Sequence, residues 1–203
     1  MFERIFERNK TELESISRKI AGNSLDPLLG YMESSGFYCA PASRAYHDSY
    51  PGGLYDHCKR LYSELYSLRG KMNKNWTDLE MIIISFGHDL CKSNLYIPSV
   101  NNFEVTYSYN PQEEGKGHGT ESLSILANLI PNLINKRVAN SIICHMGLWT
   151  KDIPEIGKYM LEAQTEDDLV FFTHSADMVS SRQGANIKNV ILTEDYSDIA
   201  SIN

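Results

Sequence analysis

At 203 residues, with 42% hydrophobic and 22% charged side chains, the chain has the length of one globular domain and enough apolar material to bury a core without disulfide staples. A net charge of −7, with Lys and Arg scattered among acidic clusters such as Glu166-Asp167-Asp168, gives no basic stripe for a long nucleic acid and favours a small ligand. Cys39, Cys58, Cys91 and Cys144 lack Cys-x-x-Cys spacing, the opening Met1-Phe2-Glu3-Arg4 is charged, and no apolar run approaches the ~18–20 residues of a membrane span; the expectation is a reduced, cytoplasmic protein without disulfides, a thiolate zinc site, a signal peptide or a membrane anchor.

Residues 2–20 place Phe2, Ile5, Phe6, Leu13, Ile16 and Ile20 at helical spacing, which predicts a helix with one core face. After a break at Gly22-Asn23-Ser24, a short helix near 25–34 and a loop of small residues from 39 to 49 are expected. Gly52-Gly53 starts the next helix, whose Leu54, His57, Leu61 and Leu65 fall on one stripe, so a polar ring stands at a core position. Thr77-Asp78-Leu79-Glu80 has the form of a capping box and starts a helix that ends in His88-Asp89. Between Pro98 and Pro111 the period changes to two, with Phe103, Val105, Tyr107 and Tyr109 alternating with polar residues; this predicts a half-buried strand or hairpin arm, either a lid over a pocket or an insertion. Helices over 119–130 and 132–146, split at Pro131, follow, and Thr165 is expected to cap a last helix over 166–182. The tail from 186 to 203 carries a short apolar run, Val190-Ile191-Leu192, and no segment is repeated or of low complexity.

Phe86-Gly87-His88-Asp89-Leu90-Cys91-Lys92 sets an imidazole and a carboxylate side by side at the end of an apolar run. With ~100° between neighbouring residues of a helix the two cannot stack on one ligand, but they can flank a divalent ion if further ligands arrive from elsewhere. His57, His118 and His145 each stand at the edge of an apolar helical stretch. Asp177 lies in the otherwise apolar Thr173-His174-Ser175-Ala176-Asp177-Met178-Val179, where an unpaired charge costs several kcal/mol and needs a cation. The candidate ligands thus come from at least four helices, as in metal sites built inside helical bundles.

This order, His57, His88-Asp89, His118, His145 and Asp177, resembles the HD-domain superfamily of metal-dependent phosphohydrolases over residues 45–182. The carriers are Tyr50-Pro51-Gly52-Gly53-Leu54 before His57, His-Asp-Leu-Cys-Lys where many relatives read His-Asp-Leu-Gly-Lys, and the late Ala176-Asp177. The Gly-Gly-Leu entry is similar to that of the bacterial 3′–5′ exoribonuclease and relaxase-associated HD domains, and viral HD enzymes that hydrolyse dATP share the ligand order. The resemblance implies an all-α HD bundle over residues 1–203, with a small β-hairpin insertion near 100–110. It implies a first divalent ion on His57, His88, Asp89 and Asp177, and a second on Asp89, His118 and His145. Mn, Fe, Zn, Co, Ni and Mg all remain open as its identity. Cys91 departs from the usual glycine and narrows the space beside the pair.

The implied chemistry is hydrolysis of a phosphate ester or anhydride, with Asp89 bridging the ions and Lys92 stabilising charge on the phosphoryl group. Arg60, Arg182 and His174 are candidate substrate contacts, Glu121 a carboxylate able to orient His118, and His47 a weaker candidate. The acidic balance, together with Tyr46, Tyr50, Tyr55, Phe103 and Tyr107 as rings for a base, favours a (deoxy)nucleotide such as a dNTP or dNMP as substrate. A 3′–5′ exonuclease on short single-stranded nucleic acid and a non-catalytic nucleotide-binding module are the alternatives.

Overall fold

The computed structural model describes residues 2–101, 104–113, 117–150 and 152–184; the expected tail over 186–203 lies outside them, as does Phe103. Among the described residues the architecture is eight α-helices and one two-stranded antiparallel hairpin, the helical fold with a small β insertion that the patterning predicts.

Helix α1 (Phe2–Ala21) buries the line Ile5, Asn9, Leu13 and Ser17. Asn9 is tolerated there because its amide donates to the Tyr38 carbonyl at 2.8 Å. Helix α2 (Asp26–Ser34) and a 3-10 turn at Phe37–Cys39 lead to α3 (Gly53–Met72), which buries Leu54, His57, Cys58, Leu61 and Leu65 on one face. Thr77 caps α4 (Asp78–Gly87): its hydroxyl accepts from the Glu80 N–H at 3.1 Å while the Glu80 carboxylate accepts from the Thr77 N–H at 2.9 Å. Helix α4 is buried almost all round, from Met81 to Gly87, which fits its continuous apolar run.

The hairpin pairs β1 (Tyr96–Asn101) with β2 (Glu104–Tyr109) in the register Tyr96↔Tyr109 to Asn101↔Glu104. Val105 and Tyr107 turn inward, while Ile97, Val100 and Tyr109 are exposed. Helix α5 (His118–Leu129) follows, then a 3-10 turn at Pro131–Leu133 and α6 (Lys136–Cys144). The second of the two expected helices therefore starts at Lys136 instead of residue 132, because Asn135 supplies the cap, accepting from the Val138 N–H at 2.9 Å.

Two features of the last third differ from expectation. Helix α7 (Ile156–Glu166) has no counterpart in the sequence reading, because only Ala163 is fully buried on it and no apolar stripe announces it. Helix α8 (Asp168–Gln183) is capped by Asp167, which accepts from the Leu169 N–H at 3.0 Å; the Thr165 hydroxyl instead donates to the Leu161 carbonyl at the end of α7. The carboxylate wins the cap because it is charged and also receives the Arg137 guanidinium.

Helix α3 packs against α4 and α8, and α6 against α4, α5 and α8. Their inner faces form one core that includes Leu61, Ile83, Ile84, Leu126, Ile142 and Leu169. The end of α8 is tied to the loop before α3 through Asp48, which is fully buried with φ 45° and whose N–H donates to the Gly184 carbonyl at 3.1 Å. A Cβ on Gly184 would stand 2.0 Å from Asp48 Oδ2 and one on Gly53 2.0 Å from the Asp48 carbonyl oxygen, so both glycines are needed for this close approach.

Candidate metal centre

Four helices aim side chains at one buried point: α3 brings His57, the end of α4 brings His88 and Asp89, the end of α6 brings His145, and α8 brings Asp177. His57 Nε2 lies 3.2 Å from His88 Nε2 and 3.0 Å from Asp177 Oδ1. His88 Nε2 lies 3.3 Å from Asp89 Oδ2 and 3.7 Å from Asp177 Oδ1, and His145 Nε2 lies 3.5 Å from Asp89 Oδ1. The atoms of His57, His88 and Asp177 fall within 4.8 Å of one another, and so do those of His88, Asp89 and His145.

Hydrogen bonding on the far side of each ring fixes what these inward atoms are. His88 Nδ1 faces the Ser85 carbonyl at 2.9 Å and His145 Nδ1 the Ile142 carbonyl at 2.6 Å; a carbonyl only accepts, so both Nδ1 atoms carry the proton. The Ser180 hydroxyl gives its proton to the His57 carbonyl at 2.9 Å and therefore accepts from His57 Nδ1 at 3.1 Å. With the Nδ1 sides so engaged, all three rings turn Nε2 toward one another and toward two carboxylates, and in the neutral form these are bare lone pairs. Acceptors facing acceptors at 3.0–3.3 Å repel unless a metal ion or a proton lies between them. Asp89 Oδ1 and His145 Nε2, moreover, are buried without a hydrogen-bond partner although they face each other. Imidazole nitrogen and carboxylate oxygen are a donor set suited to Zn²⁺, Mn²⁺ or Fe²⁺, and the residues fit a divalent ion.

Charge inside the cluster is arranged accordingly. Burial pushes the His57 pKa down. Burial also opposes a charge on His88, but Asp89 ahead of Asp177 outweighs it and the net shift is upward. Against the same penalty, Lys92 and His88 hold Asp89 well below the usual carboxylate range, and His57 does so for Asp177. Lys92 is buried with its ammonium 2.7 Å from Asp89 Oδ2, which raises its pKa in spite of burial.

The remaining sequence candidates are placed differently. His118, the first residue of α5, is half-buried and belongs to neither converging set; its Nδ1 stands 3.6 Å from the Cys91 thiol, which occupies the neighbour role expected of Glu121. Burial first, then Lys92, pushes His118 down to about 4, so it is a neutral ligand-type ring at neutral pH. Arg60 is committed to Asp48, and His174 Nδ1 donates to the His145 carbonyl at 2.6 Å, which steadies the end of α6. Arg182 is exposed near the end of α8. His47, Asp48 and His57 also come together, but Asp48 already has Arg60 and His47 for partners and the His57 Nδ1 proton is taken by Ser180, so this group has no vacant donor set. Tyr50 and Tyr55 are buried core residues, Tyr50 donating to Asp56 at 3.0 Å, and Tyr107 is buried under the hairpin; Tyr46 alone of the described candidate rings is exposed.

Ser180 escaped the sequence reading, and so did the carbonyls of Ser85 and Ile142. The two carbonyls follow one rule, a histidine just past a helix end bonding back three residues, whereas nothing in the polar Val179-Ser180-Ser181 marks the serine. Neither family models, nor curated proteins, nor solved structures gave a match to this chain. No described helix is long and apolar enough to cross a membrane.

Proposed function

We propose that the chain is an HD-type metal-dependent phosphohydrolase whose substrate is a (deoxy)nucleotide phosphate such as a dNTP or dNMP. The observation that carries this reading is the set of three inward-facing imidazole Nε2 atoms and two depressed carboxylates converging at one buried point beside a lysine. A divalent ion, or a pair of them, supplies Lewis-acid chemistry for phosphoryl transfer to water. His57, His88 and Asp177 would hold one position, and His88, Asp89 and His145 the other, with His118 outside both sets beside Cys91. Ser180 and the carbonyls of Ser85 and Ile142 keep each Nε2 turned inward, the orienting role that buried hydrogen bonds play behind metal-binding histidines. Lys92 keeps its proton through the neutral range and spends one of three donors on Asp89, which leaves two for phosphoryl oxygens.

The test is elemental analysis of the purified protein joined to phosphate release from dNTPs, dNMPs and short oligonucleotides, before and after chelation. Bound divalent metal and nucleotide turnover that stops in excess EDTA and returns with Mn²⁺ are expected. A metal-free protein with full activity in EDTA overturns the reading, and a higher kcat/KM on oligonucleotides moves it to an exonuclease.

A further inference from the structure

The loop before α3 and the hairpin meet outside the cluster. The Arg44 guanidinium lies over the Tyr109 ring, 5.4 Å from its centroid, and the Tyr109 ring packs against Tyr96 with centroids 5.5 Å apart. Tyr96 in turn opens β1 directly after the turn that carries Lys92, where the Leu95 N–H donates to the Lys92 carbonyl at 3.4 Å. Arg44, Tyr109 and Tyr96 therefore form one ladder that starts at the surface and ends on the turn carrying Lys92.

The outer end of this ladder is held open. The Ser43 hydroxyl accepts from the N–H groups of Tyr46 and His47, each at 2.9 Å, and donates to the His47 carbonyl at 2.7 Å. Ser49 donates to the Arg44 carbonyl at 2.6 Å, so the backbone at Arg44 is fixed from two sides while its side chain is exposed. Among the described residues Arg44 has no carboxylate partner, whereas Arg60, Arg69 and Arg137 are all paired with acids. Tyr109 is 58% exposed. A pre-ordered guanidinium on an exposed ring offers a planar cationic face, and in a chain of net charge −7 it is a local attraction for an anion.

We propose that Arg44 and Tyr109 form the base-binding subsite of this protein. The purine or pyrimidine of a nucleotide stacks on the Arg44–Tyr109 pair, and its sugar and phosphate extend past Tyr96 toward Lys92 and the ligand cluster. The assignment rests on the phosphohydrolase reading for its substrate and on the ladder for its position. It replaces the buried Tyr50 and Tyr55 as stacking partners with rings that a ligand can reach.

Four chains decide it: wild type, Arg44→Ala, Tyr109→Ala and Tyr109→Phe, the last keeping a ring. Each is given dAMP and 2-deoxyribose 5-phosphate, the same phosphate without a base, in Mn²⁺. The kcat/KM ratio of dAMP to the sugar phosphate falls about tenfold in both alanine variants, mostly through KM, as expected for loss of one stacked base contact, and Tyr109→Phe restores it. An unchanged ratio overturns the subsite while leaving the hydrolase reading intact. Equilibrium dialysis of dAMP reads the same contact without chemistry. If wild type turns over neither compound, tighter dAMP binding by wild type than by the alanine variants still upholds the subsite, and equal or absent binding overturns it.

Discussion

Lys92 has 9% of its side chain exposed and its ammonium on Asp89, so the two residues form a buried pair as well as parts of a candidate site. Asp89→Ala strands that cation, and breaking such a pair costs about 3–5 kcal/mol; urea denaturation of the metal-free protein is expected to show a loss of that order, with Asp89→Asn losing less because the amide oxygen still accepts from Lys92. Both variants are expected to lose metal on elemental analysis. Ser180→Ala removes the hydrogen bond that holds the His57 ring and is expected to weaken metal affinity by about 10–100-fold with the helical signal retained, as read by a competing chelator. Five of the converging ligand residues, His57, His88, Asp89, His145 and Asp177, were legible in the sequence as polar side chains inside apolar helical patterns. The orienting contacts were not: Ser180 reaches His57 across 123 positions, a proximity that only the packing of α8 on α3 creates.

At the scale of elements, local chemistry foretold the Thr77 cap, missed the equally local Asn135 cap of α6, and failed where a distant partner decides. The Thr77 capping box is entirely local and was visible, whereas the cap of α8 fell to Asp167 because Arg137 on α6 reaches it while also touching Glu80 on α4. Helix α7 gave no signal because its packing partners, Cys144 and Val170, lie on other helices and make only a small satellite cluster. The junction between α8 and the loop before α3 offers a sharp check: Gly184→Ala drives a methyl into the Asp48 carboxylate and is expected to cost about 1–3 kcal/mol in urea denaturation, the usual price of overpacking. The same substitution at Gly70, which has open space around it, should be neutral or slightly stabilising.

For the molecule as a whole, protons and metal compete for one charge cluster. Asp89 and Asp177 have folded-state pKa values below those of the unfolded chain, so without metal they contribute stability above the ordinary carboxylate value of about 4, which is lost as the pH falls through the folded values. His57 is shifted down and His88 up, and their contributions near pH 6–7 oppose each other. Urea titrations in EDTA are therefore expected to show stability falling from about pH 6.5 toward 4, where the unfolded chain binds a proton at His118 that the folded chain refuses, and falling further below about 4 as the carboxylates titrate, this last step being shallower in Asp177→Asn. Saturating Mn²⁺ at about a hundred times its Kd adds about 2.7 kcal/mol at pH 7. That increment shrinks as the pH enters the imidazole range, because the ligand nitrogens must be unprotonated to bind.

Ser180 makes both of its hydrogen bonds to His57, and Asp177 on the same helix meets the same ring, so any excursion of α8 from α3 undoes ligand and support together. The lifetime of a bound ion is then tied to the opening rate of one helix. Deuterium uptake by the backbone from Thr173 to Ser180 should slow when Mn²⁺ is added, while the end of α1, which carries none of the ligand residues, keeps its uptake rate. In such a protein the off-rate of the metal becomes a clock for the breathing of α8.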